Sequence, residues 1–332
     1  MENFISGVKP VAKRFRGDEV ECVHYGAAVA VRDDGKVLFA VGDPELKTFF
    51  RSSSKPFQAL PLVESDAHKK FGLTTEELAL TCASHNGETF HIGAAASILQ
   101  KLGLDESALQ CGAHAPYNRN AAKVLIQTGV KPSALHNNCS GKHSGMLASC
   151  LANGWNAKTY LDLNHPLQQK IFEHISNFSG VPKPEIATAI DGCSVPTFCL
   201  PLVGMARMFS AMGAKHDACL NVLAAAMTTA PQMVAGTDEF DTLLMQAGKG
   251  SIVCKRGGAA ITCVAVSDGS TGIGIVVKSI DGAMDVPPVM VMRVLDMLGL
   301  STDEIKSQLA AFIAPVQKNI NGWNVGQLTA AF

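Results

Sequence analysis

The residues of this sequence best suited to covalent chemistry lie in segment 51–57, which reads RSSSKPF. Ser52 precedes Lys55 by three positions, and that spacing puts both side chains on one face of a helix. A neutral lysine amine so placed takes the proton of the hydroxyl and makes the serine a nucleophile. A chain of this length contains about one Ser-x-x-Lys by chance, so the pair alone does not establish catalysis.

Three further segments are polar and rich in reactive side chains: 82–88 (CASHNGE), 137–143 (NNCSGKH) and 191–196 (DGCSVP). The first contains Asn-Gly, which is typical of a tight turn, so a plain loop between helices explains it equally well. The second precedes an apolar run, and a helix beginning there would direct its backbone N–H groups at an anion or oxyanion. His136 stands where a phosphate-binding loop needs its first glycine, which excludes nucleotide binding.

Two of the ten cysteines, Cys139 and Cys193, lie in these polar loops. No C-x-x-C pair occurs, which excludes a zinc finger or ribbon. Two thiolates from separate loops suit a borderline-soft ion that has one more ligand and an open position. Lys142, three positions after Cys139, is close enough to share such an ion, but packed, reduced thiols explain the pattern too.

The composition excludes several classes of protein. The chain has 332 residues, of which 47% are hydrophobic and 17% charged, and its net charge is −1. This balance leaves no electrostatic surface for nucleic acid or an anionic membrane. No apolar run reaches the roughly 18 residues of a membrane helix. The low charge suggests that a second subunit covers part of the surface, and the start MENF, unlike a signal peptide, indicates the cytoplasm.

Secondary structure is predicted from periodicity and turn residues. A hairpin is expected over 19–42, a capping box opens a helix at 74–77, and further helices are expected over 88–102, 143–151, 166–178, 201–212 and 217–230. β-Branched runs over 251–279, with a turn at 267–270, predict strands, and helices follow at 287–298 and 302–311. We therefore expect a single domain over 1–332, with a sheet from about 1–50 and about 250–332 and a helical region inserted at about 51–249.

Taken together, in this order and spacing, four segments resemble the asparaginase II family of the Rhizobium type. They are 51–57, 84–88, 138–143 and 191–193, and the resemblance extends from VHYG at 23–26 to GIGIVVK at 272–278. It implies an α/β (α+β) fold related to serine β-lactamases and glutaminases. It also implies hydrolysis of the side-chain amide of L-asparagine to L-aspartate and ammonia, and it suggests a homodimer.

The resemblance implies that Ser52 and Lys55 form one catalytic pair and that Ser84 is a second active-site serine assisted by a late lysine. We place that lysine at Lys255, since Lys255-Arg256-Gly257 follows a strand, as Lys-Thr-Gly does in the β-lactamase relatives. Lys278 is the competing choice. The family usually continues with Gly-Ala-Glu-Gly, whereas 257–260 reads GGAA here and lacks the glutamate.

The same resemblance implies a zinc ion held by residues that match Cys139, Lys142 and Cys193. A lysine ligand must be neutral, which requires a lowered pKa. The expected substrate contacts are Arg51, His143, Asp191 and Asn86. Arg51 would pair with the α-carboxylate of asparagine, and Asp191 would take the α-ammonium.

Three alternatives stay open on the sequence alone. Glutamine differs from asparagine by one methylene, worth about 1–3 kcal/mol in a pocket, so a glutaminase or other small-amide hydrolase fits the same residues. A zinc- or amino-acid-binding protein without activity would also retain the cysteine loops, although Ser52, Lys55 and Ser84 together argue against it. We expect Ser52 to attack with Lys55 as its base, but the order of Ser52 and Ser84 is undecided.

Overall fold

The computed structural model describes residues 6–269 and 271–332. Segment 1–4 and Ser270, on which the leader argument and the end of one predicted turn rest, lie outside the described residues. The strands of the described part are β1 (Lys9–Arg16), β2 (Glu19–Arg32), β3 (Val37–Val41), β4 (Lys47–Phe49), β5 (Ala187–Ile190), β6 (Pro196–Pro201), β7 (Ile252–Gly257), β8 (Ile261–Ser267), β9 (Gly272–Ser279), β10 (Val316–Lys318) and β11 (Asn324–Ala330).

Helices fill most of the middle of the chain. They are α1 (Lys55–Gln58), α2 (Leu60–Glu64), α3 (Ala67–Lys70), α4 (Thr75–Thr81), α5 (Thr89–Lys101), α6 (Arg119–Thr128), α7 (Ser140–Asn153), α8 (Pro166–Ser179), α9 (Leu202–Ala214), α10 (Ala218–Thr229), α11 (Pro231–Val234), α12 (Phe240–Ala247), α13 (Val286–Met297), α14 (Asp303–Gln308) and α15 (Ala310–Ile313). No helix in the described ranges is long and apolar enough to cross a membrane.

The main sheet joins the two ends of the chain. Its strand order is β10-β11-β1-β2-β9-β8-β7, with β3 also paired to β2, and the pairings are antiparallel. The predicted hairpin is present, with Ala28 opposite Val41 and a turn in which Gly35 has a φ of 86°. The expected architecture, a sheet from both ends with an inserted helical region, is confirmed.

Glycines let one helix approach this sheet closely. A Cβ on Gly274 in β9 would lie 1.9 Å from the carbonyl oxygen of Ala206 in α9, and one on Gly272 would lie 2.0 Å from that of Ser210. Neither position has room for a side chain, so α9 rests directly on the backbone of β9. The helix α13 packs against β9, β8 and β11 as well, which covers the sheet with apolar residues.

A second, small sheet of order β4-β6-β5 was not predicted. The helix predicted over 201–212 is present as α9, which begins at Leu202, whereas segment 196–201 before it forms β6. A short, continuously apolar run has the same pattern in a buried strand and a buried helix, so periodicity gave no sign of this strand. Strand β4 ends two residues before Arg51, and β5 ends directly before Asp191. The small sheet therefore sets the positions of both side chains.

Two helices meet tightly beside the small sheet. The capping box at the start of α4 is present, since the Thr74 N–H donates to Glu77 at 2.7 Å and the Glu77 N–H donates to Thr74 at 3.3 Å. The start of α7 lies against the end of α4, where a Cβ on Gly141 would come within 2.3 Å of the Leu80 carbonyl oxygen. This contact brings the loop after α4, which contains Ser84, next to the residues that begin α7, and the N–H of His85 in that loop donates to the Asn138 carbonyl at 3.2 Å.

Candidate active site

A cavity of about 510 Å³ opens where the small sheet, the end of α4, the start of α7 and the β7–β8 hairpin converge. Six predicted site residues line it: Arg51, Ser52, Ser84, Cys139, Asp191 and Cys193. Lys55, Lys142 and Lys255 are buried behind them, within hydrogen-bond distance of the lining residues. The fold therefore gathers segments that are far apart in the sequence around one space.

Ser84 lies between two lysine amines. The Lys55 Nζ is 2.9 Å from the Ser84 Oγ, and the Lys255 Nζ is 3.0 Å from the same oxygen. The serine backbone is fixed as well, because its N–H donates to the Val234 carbonyl at 2.9 Å. A hydroxyl held this way has a proton acceptor and a positive donor within reach at once.

The two lysines differ in their surroundings. Burial lowers the pKa of Lys255 to about 7; the Asp241 carboxylate opposes that shift and the nearby Lys55 adds to it. A neutral Lys255 amine, able to accept a proton, is consequently accessible near pH 7. The Lys55 Nζ donates to the Ala83 carbonyl, the Ser84 Oγ and, at 3.1 Å, the Cys139 Sγ. Three acceptors occupy the three N–H bonds of an ammonium, so Lys55 acts here as a donor.

Ser52 lies differently from the expected pair geometry. Residues Arg51–Ser54 form a 3₁₀ turn, and α1 begins at Lys55. Ser52 is half-buried and lines the cavity, while Lys55 turns inward towards Ser84. Within the described ranges, the side chains of Ser52 and Lys55 share no hydrogen bond.

The structure also separates the two candidate late lysines. Lys255 reaches Ser84, although it lies within β7 and not after a strand as expected. Lys278 in β9 donates instead to the backbone carbonyls of Ala259 and, at 2.7 Å, Ser279. Of the two, the residue beside the serine is Lys255.

Arg51 and Asp191 form an ion pair at the cavity wall. The Arg51 Nε is 2.7 Å from the Asp191 Oδ1. Burial raises the pKa of Asp191, but the Lys142 and Arg51 cations outweigh that effect and hold it below its usual value. Arg51 adopts a φ of 50°, which costs a non-glycine residue energy and is common at functional sites.

The cysteine loops meet as well. The Lys142 Nζ is 2.8 Å from the Cys193 Sγ. A hydrogen bond from Cys193 holds the pKa of Cys139 well below its usual value against the opposing effect of burial, and the Lys55 and Lys142 cations lower it further. Burial lowers the pKa of Lys142, but the Cys193 and Cys139 sulfurs outweigh it and raise that pKa. The raised pKa of Lys142 is the opposite of the lowered pKa expected for a lysine ligand, so a zinc ion bound by these two sulfurs and this amine would have to displace the Lys142 proton.

No group of three His, Cys, Asp or Glu side chains in the described part of the chain is arranged to hold a metal. A metal site here therefore depends on Lys142 as the third ligand.

Two of the expected substrate contacts, His143 and Asn86, are buried and do not line the cavity. The His143 Nδ1 lies 2.7 Å from the Tyr160 Oη, and burial lowers the pKa of this histidine to about 4, so it is neutral.

Sequence reasoning missed several side chains that line the cavity, among them Arg256, Glu239, His114 and Tyr117. Arg256 and Glu239 form an ion pair of 2.7 Å on one wall. His114 accepts the Asn138 N–H at 2.9 Å, and its ring stacks on Tyr117 at 4.8 Å between ring centroids. These residues lie in loops and at a strand position with no periodic pattern, and the one available signal was that Arg256 directly follows Lys255.

A family model described as L-asparaginase II matches residues 12–330. The chain belongs to the L-asparaginase II family, which confirms the resemblance stated from its motifs.

A search of curated proteins finds no match. The solved structures similar to this chain include three of one protein. Two are crystal structures of Mglu, in its native form in 4.3 M NaCl and in its glutamate form; each is 13% identical with a TM-score of 0.37 over 83% of this chain. The match covers 61% of the length of each of those chains. A third, of Mglu in its native form, is 14% identical with a TM-score of 0.38, over 84% of this chain and 66% of that one.

Proposed function

We propose that the protein is an L-asparaginase that hydrolyses the side-chain amide of L-asparagine to L-aspartate and ammonia. The observation that carries the proposal is the Ser84 hydroxyl, held between Lys55 and Lys255 in a cavity that also presents the Arg51–Asp191 pair. The proposed nucleophile and the charged groups that would bind a zwitterionic amino acid then line the same cavity. Membership of the family supports the same reaction.

Substrate binding uses the ion pair. The Arg51 guanidinium carries a fork of N–H donors that matches the α-carboxylate of asparagine, and the Asp191 carboxylate accepts the α-ammonium. Both residues exchange part of their mutual contact for the substrate. The side-chain amide is thereby directed towards the serines that line the same cavity.

The Ser84 Oγ then attacks the amide carbon while its proton passes to the neutral Lys255 amine. The Lys55 ammonium, 2.9 Å from the Ser84 Oγ, stabilises the negative charge that develops on this oxygen as its proton leaves. Lys255 returns the proton to the departing nitrogen, which leaves as ammonia. Water hydrolyses the resulting ester with Lys255 again as base. Attack by Ser52 with Lys55 as base, the sequence-based expectation, is the competing route on the same cavity.

Zinc is part of the proposal as a structural group. Cys139, Lys142 and Cys193 would hold it, and it would tie the two cysteine loops together beside the substrate. No chemical step requires it. Stoichiometric zinc in the purified protein supports this assignment, and none after supply of zinc without chelator contradicts it.

Two further proposals concern the whole protein. The low fraction of charged residues, 17%, supports a homodimer, because a second subunit covers surface that would otherwise need charge. The buried, mostly protonated thiols suit the reducing cytoplasm.

Ammonia release from L-asparagine and L-glutamine, measured in one coupled assay, tests the proposed reaction. We expect turnover of asparagine with a larger kcat/KM than that of glutamine. Preference for glutamine would make the protein a glutaminase on this site. Binding of either amino acid with no ammonia released would contradict hydrolysis altogether.

A further inference from the structure

The hairpin between β7 and β8 carries unusual backbone conformations beside the cavity. Gly257 pairs with Ile261, so residues 258–260 form the turn. Ala259 and Ala260 have φ values of 59° and 57°. This left-handed region favours glycine, and a side-chain Cβ is disfavoured there, so two successive alanines need an external constraint.

Lys278 supplies that constraint. It lies in β9, and its ammonium donates to the Ala259 carbonyl and, at 2.7 Å, to the Ser279 carbonyl. The Ser279 N–H in turn donates to the Ala260 carbonyl at 3.0 Å. Lys278 and its neighbour thus hold the two left-handed residues by their carbonyl oxygens.

The ammonium of Lys278 is not placed there for an ion pair. The side chain is 5% exposed, and its hydrogen bonds go to carbonyl oxygens. The Asp281 carboxylate, which acts on Lys278 only through its charge, accepts a hydrogen bond from the Ser279 hydroxyl and lies 2.6 Å from the His24 Nδ1. A buried charge that is satisfied by backbone alone is costly, which indicates that its contacts with the turn are its role.

The 258–260 turn lies directly against the Arg51 guanidinium. A Cβ on Gly258 would lie 3.2 Å from the Arg51 Nη2 and 3.3 Å from its Cζ. Gly257 lies close to the backbone of Phe50, the residue before Arg51, since a Cβ on Gly257 would lie 3.1 Å from the Phe50 carbonyl oxygen. The guanidinium is therefore held between Asp191 at Nε and the hairpin at its outer nitrogen.

We propose that Lys278 is a positioning residue that locks the 258–260 turn and thereby sets the orientation of the Arg51 guanidinium for the substrate carboxylate. This inference rests on the proposed function of Arg51 as the carboxylate-binding residue. It assigns to Lys278 control over recognition of the α-carboxylate and no part in proton transfer.

The kinetic test compares Lys278→Met with Lys278→Arg on two amides. L-Asparagine has the α-carboxylate, whereas β-alaninamide is the same molecule without it. We expect Lys278→Met to raise the KM for asparagine about tenfold or more with little change in kcat, and to leave kcat/KM for β-alaninamide within about twofold. Lys278→Arg, which keeps the donors, should restore most of the affinity. An unchanged KM, or equal losses on both amides, would overturn the proposal while asparagine hydrolysis stood.

A thermal cycle tests the lock without any turnover. Lys278→Met is made in the parent and in an Ala259→Gly/Ala260→Gly background, where the left-handed turn needs no constraint. We expect the substitution to lower the melting temperature more in the parent than in the glycine background, as groups acting on one turn are coupled. Equal shifts in both backgrounds would overturn the lock. If the wild-type protein releases no ammonia from asparagine, the proposed function fails, and this cycle alone decides whether Lys278 holds the turn.

Discussion

At the scale of single residues, Ser84 gains its proposed chemistry from partners that are distant in the sequence. Lys55 is 29 positions away and Lys255 is 171 positions away, yet both amines lie within 3.0 Å of one oxygen. The motifs pointed to segments that the structure brings together around one cavity. They paired Lys55 with Ser52, because a helical offset is visible in sequence and the inward turn of a buried side chain is not.

The proposed role of Lys255 as the base predicts that kcat/KM for asparagine depends on pH. The pKa of Lys255 is lowered to about 7, and the neutral amine is the active form, so kcat/KM should rise with pH below about 7 and level off above it. A pH–rate profile on asparagine between pH 5 and pH 9, which spans about two units on each side, checks this. Lys255→Arg keeps the charge and loses the base, so its activity should be low throughout. A wild-type profile that stays flat or falls between pH 6 and pH 8, about one unit either side of that pKa, would contradict this role.

At the scale of elements, the contact of α4 with α7 places Ser84 beside the cysteine loop. A Cβ on Gly141 would come 2.3 Å from the Leu80 carbonyl oxygen and 2.5 Å from its Cγ, so the contact admits no side chain. The sequence predicted both helices. It did not reveal their contact, since a glycine within a helical pattern does not show what packs against it.

Gly141→Ala should lower the free energy of unfolding by about 1–3 kcal/mol through overpacking and reduce asparagine turnover, because it separates α4 from α7. Gly93→Ala is the matched control. Gly93 lies in α5 with nothing within 4 Å of an added Cβ, so that change should stabilise by about 0.5–1 kcal/mol. Urea unfolding of the two variants gives the comparison. Equal effects of both substitutions would show that the α4–α7 contact is not tight.

The two cysteine loops provide a second prediction at this scale. The parent protein should contain one zinc per chain, and Cys139→Ser and Cys193→Ser should each lose it. Occupancy should fall as the pH drops, because the thiols and Lys142 must release protons to bind the ion. Elemental analysis of the three proteins, with Cys22→Ser as an exposed-thiol control, checks this. Equal metal content in all four would contradict the site.

At the scale of the whole molecule, the sheet is built by both chain ends, and β2 joins them by pairing with β1, β3 and β9. Segregated strand and helix patterns were sufficient to predict this arrangement. The strands β10 and β11 and the small sheet escaped prediction; β10 and β4 have only three residues each, too few to show a period of two. The proposed homodimer belongs to this scale too. Light scattering should give a mass near twice the 35.0 kDa of the chain, and a monomer at micromolar concentration would contradict it.

The central claim is that this fold brings Ser84 and Lys255 together to cleave the asparagine side chain. Ammonia release by Ser84→Ala and Ser52→Ala, with circular dichroism to confirm folding, tests it most directly. We predict that Ser84→Ala loses at least about 10³-fold in kcat, as expected for a nucleophile that acts with its base as a unit. Mass spectrometry of protein quenched during turnover should place the aspartyl ester on the peptide containing Ser84. An ester on Ser52, with Ser84→Ala near parental activity, would contradict the account and return the nucleophile to Ser52.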